Sequence, residues 1–395
     1  MQTLHGVCWW PSRVWTAFFL AVSSVAGQFG CTIPPLRRYA PVIHTFDSQL
    51  VLVRSWSQMR LGEKYMEQGV RFIGLRDIAD ARIAGLVGLL VGDALGVGFE
   101  FKKPEQIPPR YQIEMTTPVG FRRSHAGVPV GTWSDDGSQA LCLLASLFDC
   151  GKLSLTDFAD RLLRWRDDGY LAVDGDVFDI GIQTADALNR LRDGVSPRES
   201  GGAAVMDNGN GSLMRVLPLA LWHNGTDEAL VRDAHRQSLP THAHPRSQVA
   251  CAFYCLWARG YLKHLADPLS WADQRLDEIY RDWPDQPERK ALLTELDVLR
   301  SFPKTDQSRG TGYVLDTLWS ARKAMEEETF EDVARTAILF GNDTDTTAAV
   351  AAGLAGIKFG LAGVPQRWLE ELRGFELVEP LLASFLTKPV PMAPQ

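Results

Sequence analysis

Two short segments carry carboxylates where apolar residues would otherwise run: Ser134, Asp135 and Asp136 in GTWSDDGSQALCLLASLF, and Asp343 and Asp345 in FGNDTDTTAAVAAGLAGIKFG. Alone, the first reads as an ordinary helix start, with Ser134 as N-cap and two first-turn acids favoured by the helix dipole. The second is less ordinary. Asp343 and Asp345 stand about 200° apart on a regular helix, so they converge only from a turn or a helix start. The helix that follows, Ala348 to Gly360, is almost wholly apolar, which predicts that its N-terminus lies inside the protein. Buried acids must be neutralised by protons, arginines or metal ions. A calcium EF-hand loop does not fit, because its sixth position would be Ala348 rather than glycine and its twelfth Leu354 rather than glutamate. If the two segments meet and Glu100 from GDALGVGFEF joins them, five carboxylates converge, and two divalent cations would offset most of their charge. With the hydroxyls of Ser134 and Thr346 they form a hard oxygen set suited to magnesium or manganese rather than zinc or copper.

Between these segments, NGNGSLMRVLPLALW removes side chains at Gly209 and Gly211 just before an expected helix. The free backbone N–H groups could face an anion such as a pyrophosphate, or form a simple turn. His242 and His244 in THAHPRSQ could reach a metal, but an HxH without a third nitrogen ligand is more often a hydrogen-bonding pair at a helix start.

The elements that must position these residues read as helices. In ARIAGLVGLLVGDALGVGFEF, Gly85, Gly88, Gly92 and Gly96 recur at spacings of three and four, a small-residue face along which a second helix can approach closely. Asp93, in the same apolar run, is expected to accept backbone hydrogen bonds. Further helices read from residues 134–148, 155–168, 212–222, 244–262, 312–325 and 330–340, and the charge-rich stretch 263–309 reads as solvated helices plus a loop. Alternating strand patterns are scarce. The expectation is one all-α domain over residues 79–390, preceded by an extension over residues 1–78. Within that extension Val14 to Ala26 is an apolar stretch too short to span a bilayer; it reads as an export signal, as an amphipathic or apolar arm, or as residues ahead of a true start at Met59 or Met66. A cytoplasmic location is expected unless that stretch is a signal.

Composition bounds the rest. The chain has 395 residues, 45% hydrophobic and 23% charged, which excludes a disordered or collagen-like polymer. Forty-one basic against 48 acidic residues give a net charge of −7 with no long basic run, which argues against nucleic acid as the main partner. Six scattered cysteines without a CxxC pair do not form a disulfide scaffold or a zinc site.

In their order and content, GLLVGDALGVGFEF, GTWSDDGSQALCLLASL, NGNGSLMRVLPLAL, THAHP, GYVLDTLWSA and GNDTDTTAAVAAGLAGIKFGLAGVP resemble the ADP-ribosylglycohydrolase family, the relatives of dinitrogenase-reductase-activating glycohydrolase. The resemblance covers residues 79–390. It implies an orthogonal helical bundle around a binuclear site holding two magnesium or manganese ions. Carried over position by position, it makes Ser134, Asp135, Asp136, Asp343, Asp345 and Thr346 the metal ligands and Glu100 the mobile glutamate that closes over them. Asn210, Gly211 and Ser212 fall where the family holds ribose and phosphate, His242 on the diphosphate or adenosine side, and Tyr313 near the nucleotide. Two departures stand out: Ser134 replaces the family's more frequent threonine, and Gly137 stands where threonine usually follows the aspartate pair, an absence expected to loosen the site. The implied reaction is hydrolysis at C1″ of an ADP-ribosyl group on a protein side chain or a small conjugate, with Asp136 or Glu100 taking the proton of the attacking water. The rival readings are an ADP-ribose-binding or toxin-blocking protein without turnover, and a magnesium-dependent nucleotide phosphohydrolase.

Overall fold

The computed structural model describes residues 75–302 and 308–387, and among them every regular element is helical. The stretch Val14–Ala26 and most of the expected extension lie outside the described residues; residues 75–78 already belong to the first helix, α1 (Leu75–Gly96). None of the described helices is long and apolar enough to cross a membrane.

Local signals set most helix ends. α2 (Asp135–Cys150) begins at N-cap Ser134 and stops at left-handed Gly151; α3 (Leu155–Asp168) begins at Ser154 and stops at left-handed Gly169. α4 (Ile182–Arg192), α5 (Leu217–Trp222) and α6 (Asp227–Ser238) follow. α7 (Pro245–Leu262) places proline in its first turn, where no intrahelical N–H bond is lost. The charge-rich stretch folds as α8 (Pro268–Arg281) and α9 (Gln286–Ser301), capped by Asp267 and Asp285. α10 (Val314–Ala324), α11 (Phe330–Leu339), α12 (Thr344–Phe359), α13 (Gln366–Glu371) and α14 (Phe375–Thr387) complete the order.

Two segments differ from the sequence expectation. The helix expected over residues 212–222 forms only from Leu217, because the N–H groups of Leu213 and Met214 both turn back to the Asn210 carbonyl at 2.8 and 3.0 Å. The helix expected from Ala348 begins earlier, at Thr344, so its buried first turn holds Asp345 and Thr346.

The glycine face of α1 meets α12 backbone to backbone. A Cβ on Gly88 would lie 2.4 Å from the Ala352 carbonyl oxygen, one on Gly92 2.3 Å from that of Ala348, and one on Gly96 2.3 Å from Asp345 Cα. The relation is mutual, since a Cβ on Gly356 would lie 2.0 Å from the Ala84 oxygen. Both helices are buried over this length. The contact therefore delivers the acidic start of α12 to the C-terminal end of α1, where Glu100 follows.

This packing predicts the sign of one substitution. Helix propensity alone would make Gly92→Ala stabilising by about 1 kcal/mol. Overpacking against a carbonyl that belongs to a neighbouring helix costs typically about 1–3 kcal/mol, with no flexible side chain to yield. We expect Gly92→Ala to lower the urea midpoint; a raised midpoint would show that the two backbones do not touch.

Candidate active site

The two acidic segments, more than two hundred residues apart, meet at the starts of α2 and α12. Thr346 Oγ1 donates to Asp136 Oδ2 at 3.2 Å, and Ser134 Oγ lies 3.4 Å from the same oxygen while accepting from the Asp136 N–H. Asp136 Oδ1 and both carboxylate oxygens of Asp345 are buried with no hydrogen-bond donor. Asp343, the residue before α12, receives Asn210 Nδ2 at 2.8 Å, and Asp135 receives Gln139 Nε2 at 2.9 Å. Asp93 accepts backbone hydrogen bonds as its context requires, from Ser134 N–H at 2.9 Å and Gly137 N–H at 2.7 Å, which fixes the start of α2 to α1. The room a side chain at Gly137 would need is taken by Trp133 and Leu90, each 2.8 Å from where its Cβ would be.

Glu100 reaches the same place from the loop after α1. Its carboxylate and those of Asp343 and Asp345 offer ligand atoms that all lie within 4.8 Å of one another, and Glu100, His125 and Asp179 form a second such group. His125 Nε2 is 2.6 Å from Glu100 Oε2 and 3.8 Å from Asp179 Oδ1. Neither His125 nor Asp179 stands out in the sequence. The only trace of Asp179 is the acid- and glycine-rich stretch DGDVFDIG between two helices, and RRSHAG gives no signal for His125. Three of the site loops hold a non-glycine residue in the left-handed region: Phe101 beside Glu100, Asp179 itself, and Asn342 beside Asp343.

Crowding of acids in a dry place raises their pKa values, burial first and neighbouring charge second. Asp135, Asp136 and Asp345 are pushed well above the usual carboxylate range. Glu100 is pushed up to about 10 by burial and by Asp179, Asp343 and Asp135. Burial raises Asp93 to about 7 and, with Asp343, Asp179 to about 6. The cluster thus holds protons unless positive charge enters it, and its oxygen donors without partners fit a hard divalent cation.

Asn210, bound to Asp343, ties the glycine turn to this cluster. The Asn210 N–H donates to the Gly312 carbonyl at 3.0 Å, and Val314 N–H to that of Asn208 at 3.0 Å, so the glycine turn is pinned beside Tyr313. His242 Nε2 would lie 3.3 Å from a Cβ at either Gly209 or Gly211; only glycine allows the ring this close. Its Nδ1 is 2.8 Å from Thr241 Oγ1, and burial, with Arg215 nearby, lowers its pKa to about 3, so the ring is neutral. The Tyr313 hydroxyl receives Arg246 at 3.2 Å. The Ser212 hydroxyl faces the interior instead, 2.8 Å from Ser238 Oγ and 3.5 Å from Cys251 Sγ. His244 N-caps α7 by accepting the Arg246 N–H, the helix-start role rather than a metal role.

Comparison with known proteins bears on the chain as a whole. Over 76–392 the chain matches the profile of the ADP-ribosylglycohydrolase family. It is similar to "ADP-ribosylarginine hydrolase Tri1" of Serratia proteamaculans (strain 568), 31% identical over 298 residues that cover 74% of this chain and 75% of that protein. The Tri1 hydrolase of Pseudomonas putida (strain GB-1) is 30% identical over 307 residues, 76% of each chain. A solved "ADP-ribosylglycohydrolase-related protein complex" superposes with a TM-score of 0.60 at 30% identity, covering 78% of this chain and 98% of that one. Fold, sequence and the meeting of its two acidic helix starts agree: the chain belongs to the ADP-ribosylglycohydrolase family, enzymes that hydrolyse the glycosidic bond of ADP-ribosyl groups.

Proposed function

We propose that this enzyme cleaves the bond between C1″ of ADP-ribose and an arginine guanidinium nitrogen, on a protein side chain or a small conjugate. Two magnesium or manganese ions would be held by Ser134, Asp135, Asp136, Asp343, Asp345 and Thr346. The observation that carries this reading is the contact of Thr346 with Asp136 beside three buried carboxylate oxygens that no donor reaches. Arginine as the acceptor is supported by the names of the two relatives and by the acidic site, which favours a cationic leaving group.

When bound, the cations would hold the ribose 2″ and 3″ hydroxyls and make nearby water more acidic. Asp136 is the poorer base, because Ser134 and Thr346 already surround one of its oxygens at the floor of the site. Glu100, hanging from a loop and with its pKa raised by burial and by its acidic neighbours, takes the proton of the attacking water. Positive charge that builds at C1″ is met by the carboxylates around it, as in other glycoside hydrolyses. The departing guanidine takes up that proton from Glu100 and leaves as guanidinium, which Asp179, with 18% of its side chain exposed, receives through charge-assisted hydrogen bonds. Asn210, the backbone at Gly211 and Ser212, His242 and Tyr313 hold ribose and phosphates. Buried free thiols at Cys142, Cys251 and Cys255 support a cytoplasmic location.

With magnesium present, Asp135→Ala, Asp343→Ala and Asp345→Ala should each lose at least about 100-fold in release of ADP-ribose from ADP-ribosylated arginine, more than a typical outer-shell loss. Wild-type rates in all three would sink the scheme. A product of AMP instead of ADP-ribose would point to pyrophosphate cleavage.

Stability should depend on pH in a definite direction. The carboxylates of Asp179, Asp93 and Glu100 have folded pKa values above their unfolded ones. Their contribution is whole only below their unfolded values, 3.8 for the aspartates and 4.5 for Glu100, and is lost as pH rises through about 6, 7 and 10 in turn. In EDTA the melting temperature should therefore fall from pH 5 to pH 9, and added magnesium should restore more of it at pH 9 than at pH 5. A metal-independent profile would remove the cations from the site.

A further inference from the structure

Outside the acidic motifs, two consecutive residues grip Glu100. Ser124 Oγ donates to the Glu100 backbone carbonyl, and His125 Nε2 sits 2.6 Å from its carboxylate. The gripping loop has support of its own. The Val128 N–H donates to the His125 carbonyl at 3.0 Å, and Arg123 donates to the Val128 carbonyl at 2.9 Å, closing a tight turn. The imidazole is held between two rings, with centroids 5.8 Å from Phe101 and 5.2 Å from Phe178, and its side chain is only 16% exposed.

Glu100 needs such a hold. It stands buried among Asp179, Asp343 and Asp135, whose charges oppose its ionisation. Its own side chain has three rotatable bonds, the last of them with broad, weakly preferred wells. His125 brings Nε2 within hydrogen-bonding distance of its carboxylate from a turn that holds no proposed metal ligand. Asp179 Oδ1, 3.8 Å from the same nitrogen, sets the other edge of the imidazole's reach.

We infer that His125 is a positioning residue for Glu100: its Nε2–H fixes one carboxylate oxygen, and so aims the other at the water to be deprotonated. The inference rests on Glu100 as the base proposed above. Phe101 and Phe178 orient the donor, which makes ring shape and hydrogen bonding separable by substitution.

The test compares His125→Phe, which keeps a flat ring between Phe101 and Phe178 but has no donor, with His125→Gln, whose side-chain amide can offer an N–H near the Nε2 position. Rates are measured on ADP-ribosylated arginine at saturating magnesium, beside Glu100→Gln and the His125→Phe/Glu100→Gln double variant. We expect His125→Phe to lower kcat by about 10–100-fold, the usual cost of losing an outer hydrogen-bond partner, with KM little changed. His125→Gln should recover most of that loss, and His125→Phe should cost nothing more once Glu100 is glutamine. Wild-type kcat in His125→Phe while Glu100→Gln is impaired overturns the inference and leaves Glu100 as the base. Wild-type kcat in Glu100→Gln overturns both. Additive losses in the double variant, or no recovery with glutamine, reduce His125 to a packing residue and also overturn the inference. Should His125→Phe not fold, as judged by its melting temperature, His125→Ala carries the same comparison.

Discussion

Everything in the site depends on how closely two helix backbones approach. Along α1 and α12 the glycines at 88, 92, 96 and 356 leave no room for even one added carbon, because each faces main-chain atoms of the other helix. Such proximity places the last turn of α1 against the first turn of α12, with Gly96 on Asp345. Both ends carry acids: Asp93 and Glu100 on one side, Asp343 and Asp345 on the other. Electrostatics alone would push these ends apart. The buried apolar length of the two helices, from Ile83 to Leu95 and from Ala348 to Ile357, supplies the stabilisation that opposes this repulsion.

Some of the opposing charge comes from the fold itself. α2 and α12 both direct their N-termini at the cluster, and the partial positive charge of unpaired N–H groups there favours carboxylates. Arg215 adds a full charge from behind. It is wholly buried, donates to Gln139 at 2.9 Å and to Thr241 at 2.7 Å, and through them touches both Asp135 and His242. Among the described residues no carboxylate pairs with it directly. One guanidinium and two helix ends remain less than the charge of Asp135, Asp136, Asp343, Asp345, Glu100 and Asp179 together, and each buried ion left uncompensated would cost several kcal/mol. This imbalance is what the upward pKa shifts express, and it is what positive charge bound among these acids would relieve.

Much of this was readable from residue types and spacing. The glycine period at 85, 88, 92 and 96 announced a close helix partner, and an apolar helix behind Asp343 and Asp345 announced a buried helix start. Ser134 as N-cap and residues 155–168 as a helix follow from local chemistry that the tertiary fold does not override. Asp179 and His125 were not legible, because each is a single residue in a loop and loops carry no periodicity. Their positions are set by contacts with Glu100 and the Phe101 and Phe178 rings, which only the folded chain brings together. Residues 212–216 misled for a related reason. Their apolar pattern suits a helix, but Asn210 is held by Thr317 and Asp343, so the turn that follows it is dictated from elsewhere.

The left-handed residues show how the site stays in place before any substrate arrives. Phe101 is a bulky side chain in a region that disfavours it, and such a conformation costs of order 1–3 kcal/mol unless neighbours enforce it. Here they do. The Phe101 N–H donates to the Asn342 carbonyl at 2.6 Å, the Asn342 N–H to the Lys102 carbonyl at 2.6 Å, and the Asp343 N–H to the Gly310 carbonyl at 2.8 Å. These bonds join the backbone of the loop of Glu100 to that of the loop of Asp343 and hold the two segments side by side. A loop tied in this way cannot relax to a more comfortable backbone without separating the acids, and the α1–α12 contact forbids that separation. Strain in the loops and close packing in the helices therefore act in the same direction: they keep the charges where water and sugar would meet them, leaving little reorganisation for the reaction itself to perform.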